Sequence, residues 1–463
     1  MICESVEKLR KTVEGILKID KGGVRVLDAD KLRARLIDAL IQTAIFSPND
    51  ETMQAARWMI YRAGAALDVL SSSIQPLYEA MGSKEVTGFT VPAINIRTLT
   101  YDVAQSVFRA ALKGKVGALI FEIARSEIDY TRQRPQEYAV AVIAAAIKTG
   151  FEGPLFLQGD HFQVSAKKFA GDPEKETQSV KNLIWEAIEA GFYNIDVDTS
   201  TLVDLSKPTI KEQQKINYSL AAELTTMIRD LEPKGITISI GGEIGEIGGK
   251  NSTVEDLHAF MSGYLEELKK NGKGMKGISK ISVQTGATHG GVPLPDGTVA
   301  KVKIDFDALE RLSEAARTSY GLAGAVQHGA STLPDEAFDR FPAVGTAEIH
   351  LATGFQNIIY DSSHFSAELK AKIYDYLKAE CISEKKESDT EEQFIYKTRK
   401  KGFGPFKKEL WNLPDKTLGA IGRELEEQFA LLFDKLKVTG TADVANRYVK
   451  PVDAPLKVPA EFK

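Results

Sequence analysis

Eight short apolar runs, separated by stretches with helical spacing, constrain this chain more than any other feature. The runs are Phe89–Ile96, Gly117–Ala124, Pro154–His161, Asn194–Ser200, Thr237–Ile244, Lys280–Gly290, Leu322–Ser331 and Thr346–Gly354. Between them, segments such as Thr100–Leu112, Gln136–Lys148, Thr177–Ala190 and Phe306–Thr318 repeat apolar residues every three or four positions. Strands that alternate with helices pair in parallel, and eight such units close into a (β/α)8 TIM barrel of the α/β class. An open, doubly wound sheet is the alternative. The 463 residues accommodate a barrel over 86–365 with a helical N-terminal extension over 1–85 and a helical C-terminal extension over 366–463. In the first extension, Asp28 or Asp30 can cap a helix through Leu32, Leu36, Ile37, Leu40 and Ile41, and a second helix is expected over Met53–Leu70.

Barrels of this kind carry their active sites at the carboxyl ends of the strands, and the unusual polar residues of this chain fall there. His161, His289 and His328 each end a strand-like run near glycine, and Glu243 ends another. Three of only six histidines at matching strand ends point to a metal. Imidazole nitrogens with a carboxylate form the donor set of a catalytic zinc site that keeps open positions. Cobalt, iron or manganese suit such a site as well. His350 lies on the eighth run and is expected to touch substrate. His258, in a helical stretch, and His364, beyond the last strand, are expected to stay outside the site.

Composition excludes several other roles. The 59 basic and 64 acidic residues leave a net charge of -5, which gives no global pull toward nucleic acid. No apolar run reaches membrane-spanning length. The amino terminus is too polar for a secretory signal. Cys3 and Cys381 stand far apart and suggest no disulfide framework, so a cytoplasmic location is expected.

A zinc ion with open positions can hold the carbonyl and hydroxyl of a sugar and stabilise an enediolate. Asp160 immediately precedes His161. On a regular strand the two would face opposite ways, but at a strand end the backbone can turn both inward. A carboxylate there can exchange a proton with a substrate hydroxyl; orienting a ligand or capping the next helix is the alternative. Glu246 lies in the glycine-rich run Gly241–Gly249, where a mobile loop could bring it over substrate or simply turn. Ser331, Thr353 and Gly354 follow the seventh and eighth strands, where this fold often binds phosphate, and Gly290 joins them from the sixth.

Taken together, these pieces resemble the class II, zinc-dependent ketose-bisphosphate aldolases over about residues 86–365. The matching pieces are Val91–Asn95, Asp160-His161, Glu243 with Gly248-Gly249, Thr288-His289-Gly290, His328–Ser331 and the run ending near Thr353. The resemblance implies that His161, His289 and His328 bind zinc, with Glu243 as an alternative ligand. It assigns Asp160 to proton exchange with the C4 hydroxyl, sets Asn95 near the substrate, and puts Gly290, Ser331 and Thr353 around a phosphate. The implied reaction is reversible C3–C4 cleavage of a ketose bisphosphate, such as fructose or tagatose 1,6-bisphosphate, to dihydroxyacetone phosphate and an aldehyde. A role in carbohydrate metabolism such as glycolysis and a homo-oligomer follow by resemblance too. The chain departs from the family where a lysine is usual, at Gly291–Pro293, and where asparagine and aspartate are usual, at His350 and Ala352. Lys250-Asn251 stands where an acidic pair is common, and Glu246 is the candidate substitute for that pair. Two alternatives stay open: a metal-dependent ketose C4-epimerase using the same bond cleavage, and a non-catalytic barrel subunit of an aldolase.

Overall fold

The computed structural model describes residues 2–20, 22–245, 250–272, 274–286, 303–454 and 457–462. Its centre is a closed barrel of eight parallel strands: β1 Val91–Asn95, β2 Ile120–Ala124, β3 Gly153–Gln163, β4 Asn194–Asp198, β5 Ser239–Glu243, β6 Lys280–Val283, β7 Ala325–Gln327 and β8 Glu348–Leu351. Each strand pairs with its neighbours in chain order, and β8 pairs with β1 to close the ring. Each of the eight runs expected from the sequence contains one of these strands. The fold is therefore the (β/α)8 barrel rather than the open sheet.

Side chains alternate across each strand. The outward set packs on the helices, as where the rings of Phe121 on β2 and Phe108 on helix Thr100–Gly114 lie 4.9 Å apart. Each such fully buried ring contributes roughly 2–3 kcal/mol. The inward set is unusually polar. Gln158, Asp196, Lys280 and Glu348 fill the lower barrel, with the Lys280 ammonium 3.0 Å from Asp196 and 2.8 Å from Gln158, and in contact with Glu348. Gly241 makes room for them, because a β-carbon there would stand 2.2 Å from the Asp196 carboxylate.

The N-terminal segment is less uniformly helical than its spacing suggests. Leu17–Asp20 and Gly23–Val26 form an antiparallel hairpin. Leu17, Ile19, Val24 and Val26 alternate there with Lys18, Asp20 and Arg25, a period of two that a helix cannot bury on one side. Asp28, rather than Asp30, caps the next helix by accepting from the Lys31 amide. Helix Asp50–Ala65 stops short of Leu70: Asp68 adopts a φ of 57°, and Val69–Ser71 adds an extra strand to the outer edge of β3. The C-terminal segment packs helix Asp415–Lys435 against Thr100–Gly114, with Arg109 donating to Glu426 at 2.7 Å. Among the described residues no helix is long and apolar enough to cross a membrane.

Candidate active site

The end of β3 has the most informative local geometry. Gly159 pairs with Ile195, but the next paired residue, Phe162, faces Val197, so β3 carries one extra residue across this step. That is a β-bulge, and it holds Asp160 and His161. His161 takes a φ of 40°, rare for a side chain other than glycine. The ring of Phe162 folds over Gly159, where a β-carbon would meet it at 2.5 Å. The bulge thus turns two consecutive side chains into one cavity, which a regular strand would not do.

That cavity, about 500 Å³, opens at the carboxyl ends of the strands. Asn95, Asp160, His161, Glu243, His328, Ser331, His350 and Thr353 all line it. Gly354 lines an adjoining cavity with Ser331. Glu246, His289 and Gly290 lie outside the described residues. His258 is exposed and bonded to the Tyr320 hydroxyl at 2.7 Å, and His364 is exposed too.

The residues present suit a divalent metal. Asp160, His161 and His328 each place one possible ligand atom within 4.8 Å of the others, and the rings of His161 and His328 are 3.9 Å apart. Each ring is oriented through its other nitrogen: His161 Nδ1 lies 3.0 Å from Asp198, and His328 Nε2 lies 2.9 Å from the Ser282 hydroxyl. Supporting groups of this kind set the tautomer of ligating histidines. Glu243 sits on the Nδ1 side of His161, at 3.1 Å, where it groups with His161 and Asp198 rather than with His328. Burial and the Asp198 carboxylate push the Glu243 pKa up to about 7. Burial opposes charge on His161, yet Asp160 and Glu243 outweigh it and raise its pKa well above the usual value.

His350 occupies the middle of the site. Its Nδ1 lies 3.0 Å from Glu122 and 3.1 Å from Asp160, and its Nε2 lies 2.6 Å from Glu348. Burial opposes its charge, but the first two carboxylates raise its pKa well above the ordinary imidazole value. Burial, with the Asp160 charge beside it, lifts Glu122 to about 8. Asn95 donates to Glu127 at 2.5 Å and to Asp160 at 3.4 Å.

Four cations also reach the cavity. Arg97, Arg125, Lys168 and Lys400 line it. Arg97 bonds Glu127 at 2.7 Å and Thr353 Oγ1 at 3.2 Å, while Arg125 bonds Glu176 at 2.6 Å. Lys400 comes from the C-terminal segment, on a tight turn fixed by Tyr360 donating to the Arg399 carbonyl at 2.8 Å. Burial and the Arg97 charge depress its pKa. Sequence reasoning passed over Glu122, Asp196, Asp198, Lys280 and Glu348. Their signal was present as charges at alternate positions inside apolar runs. Lys400 and Arg97 carry no comparable local signal.

The family model described as fructose-bisphosphate aldolase class-II matches residues 77–401. Curated proteins offer no match. Among solved structures, a probable tagatose 6 phosphate kinase from Sinorhizobium meliloti is 16% identical with a TM-score of 0.55, over 76% of this chain and 100% of its own. The fructuronate-tagaturonate epimerase from Cohnella laeviribosi is 12% identical with a TM-score of 0.50, over 85% of this chain and 86% of its own. The fructose-bisphosphate aldolase from Campylobacter jejuni is 16% identical with a TM-score of 0.46, over 81% and 98%. At these identities the first two likenesses speak to the fold alone.

Proposed function

Because this chain belongs to the class-II fructose-bisphosphate aldolase family, we propose that it is a metal-dependent aldehyde-lyase that reversibly cleaves the C3–C4 bond of a ketose phosphate. The convergence of Asp160, His161 and His328 in one cavity is the observation that carries this reading. His161, His328 and, outside the described residues, His289 would hold the ion, zinc by preference. When bound, it supplies Lewis-acid polarisation of the substrate carbonyl. Asp160 takes the proton of the C4 hydroxyl as the C3–C4 bond breaks. Asn95, bonded to Asp160, keeps that carboxylate aimed into the cavity. Glu246 is the candidate acid that returns a proton to carbon. Ser331, Thr353 and Gly354, around the amino end of helix Thr353–Asp361, suit a phosphate, and Gly290, outside the described residues, is a further candidate. Arg97, bonded to Thr353 Oγ1, and Lys400 near it add positive charge beside them. Bringing substrate, metal and base together in one enclosed site is what lowers the barrier.

Triose release from fructose 1,6-bisphosphate, coupled to a reporter enzyme with and without chelator, tests the reading. Chelator-sensitive release is expected. No release from metal-loaded protein, across fructose and tagatose bisphosphates, would overturn it.

The β8 residues favour a second reading. His350 and Ala352 stand in the cavity where the family usually has asparagine and aspartate, and the cations there bind carboxylate as readily as phosphate. Cleavage followed by rejoining with the aldehyde turned over would invert C4 of a ketose or keto-acid sugar. A new ketose formed without free triose marks this outcome. In either reading the functional units are the barrel over 86–365 and the two helical extensions, acting in a cytoplasmic homo-oligomer.

A further inference from the structure

His350 stands among three carboxylates, with Glu348 on one ring nitrogen and Glu122 and Asp160 on the other. Its Nε2 is 2.6 Å from Glu348 Oε1, an oxygen that also accepts from Gln158 at 2.9 Å and from the Lys280 ammonium. That oxygen acts as an acceptor throughout, so an imidazole hydrogen sits on Nε2. Nδ1 points at two further acceptors, Glu122 Oε2 at 3.0 Å, which also accepts from Gln158 at 3.0 Å, and Asp160 Oδ1 at 3.1 Å. A hydrogen on Nδ1 can bridge to these oxygens, and a divalent ion can take its place among the same three atoms.

The spacing suits a metal ion. Donor atoms on neighbouring corners of an octahedron with bonds of about 2.1 Å stand about 3 Å apart. Possible ligand atoms of Glu122, Asp160 and His350 all lie within 4.8 Å of one another, and all three residues line the main cavity. Two more oxygens are unused. Glu122 Oε1 and Asn95 Oδ1 are buried without a hydrogen-bond partner, and the two residues are paired across β1 and β2. Glu122 is fully buried and Asn95 only 2% exposed, so bulk water does not serve them. The Glu348–His350 pair is the carboxylate–histidine support that ligating histidines commonly have, and Lys280 in turn anchors Glu348.

We propose that Glu122, Asp160 and His350, with Asn95 completing the set, form a second divalent-cation site distinct from the one at His161 and His328. One imidazole and several oxygens match manganese(II) or iron(II) better than a thiolate-seeking metal. Asp160 would then bridge two ions. The second ion restores positive charge on β8, at the end of the substrate where the family's usual contacts are absent. This inference rests on the geometry around His350 and holds for either reaction proposed above.

The test is to strip the full-length protein of metal, titrate it with Mn2+, and count bound ions while recording the electron paramagnetic resonance spectrum and triose release on the same samples. Two ions per chain with a spin-coupled spectrum are expected, and Glu122→Gln should lose one ion. Saturation at one ion per chain, with release intact, overturns the second site alone; a proton shared by His350 then fills the gap. Two ions retained by Glu122→Gln also overturn it, by placing the second ion elsewhere. If Glu122→Gln fails to fold, the wild-type spectrum decides, because an isolated-ion signal at saturation rejects a bridging Asp160. Absence of any bound Mn2+ together with chelator-insensitive turnover would instead defeat the metal reading of the first site.

Discussion

The barrel interior and the helical jacket bury their side chains on opposite principles. The interior encloses Glu122, Asp160, Asp196, Lys280, Glu348 and His350, with Lys280 at 1% exposure and Glu348 at 0%. The jacket encloses side chains such as Phe108, Tyr360, Ile373, Leu410 and Phe429, and keeps most of its ion pairs in solvent, like Lys11–Glu7. Buried charges contribute little net stability, since desolvation offsets most of their attraction. Apolar burial stabilises by roughly 25 cal/mol per Å². A chain that concentrates the first kind of group around one cavity has arranged its interior for chemistry and left cohesion to the shell.

The sharpest test of that division lies at Asp160. Asp160→Asn should keep the fold, with its melting temperature near wild type, and lose about 10⁴-fold in turnover, roughly 5.5 kcal/mol of barrier. Metal analysis and steady-state rates on one preparation check it. Near-normal turnover would make Asp160 a structural residue and erase the contrast at its centre. Lys280→Met probes the interior from below. Removing the ammonium leaves Asp196 and Glu348 facing each other without their shared cation, which should cost about 3–5 kcal/mol in denaturant unfolding. A loss under 1 kcal/mol would mean the lower layer tolerates charge better than its burial implies.

A jacket substitution should behave in the opposite sense. Ile373, in helix Ala367–Glu380, is fully buried against Gly402 beside the Lys400 turn. Ile373→Ala should cost about 2–4 kcal/mol of stability while kcat at saturating substrate stays within about twofold. A large fall in kcat would show that the C-terminal segment positions Lys400 tightly enough to join the chemistry.

How much of this was legible beforehand differs between the same two regions. The barrel was legible because period-two and period-3.6 patterns alternate eight times, and the strand-end residues because the fold aims them at one mouth. The bulge at Asp160-His161 was legible only as a need: two adjacent polar residues require a turned backbone, but the extra residue against Ile195 and Val197 is a pairing fact between strands. Glu122, Asp196 and Glu348 were hidden inside apolar runs, where a charge reads as an interruption until neighbouring strands show it has partners. The N-terminal hairpin was missed because seven alternating residues weigh little beside the helices that flank them. Lys400 reaches the cavity from the C-terminal segment beyond the barrel, and no local pattern encodes that path.

The smallest effect distinguishes the regions by pH. Asp102, on helix Thr100–Gly114, is held up to about 7 by burial and by the nearby charge of Asp38, with Arg109 opposing and Asp415 adding to the rise. A carboxyl raised from 3.8 when the chain folds binds its proton more tightly in the native state. Its stabilising contribution is therefore complete at pH below 3.8 and is lost as pH rises through about 7. Wild-type stability should fall between pH 5 and pH 8 by about 1–2 kcal/mol from this group. Asp102→Asn carries no charge at any pH, so its stability relative to wild type should rise by that amount between pH 5 and pH 8 in urea unfolding. Because Asp102 lies in the jacket, away from the cavity, the substitution should leave the shape of the kcat profile unchanged. A gap that does not widen with pH would show that the Asp102 carboxylate keeps enough water to ionise freely, and that the jacket holds no titrating group of consequence there.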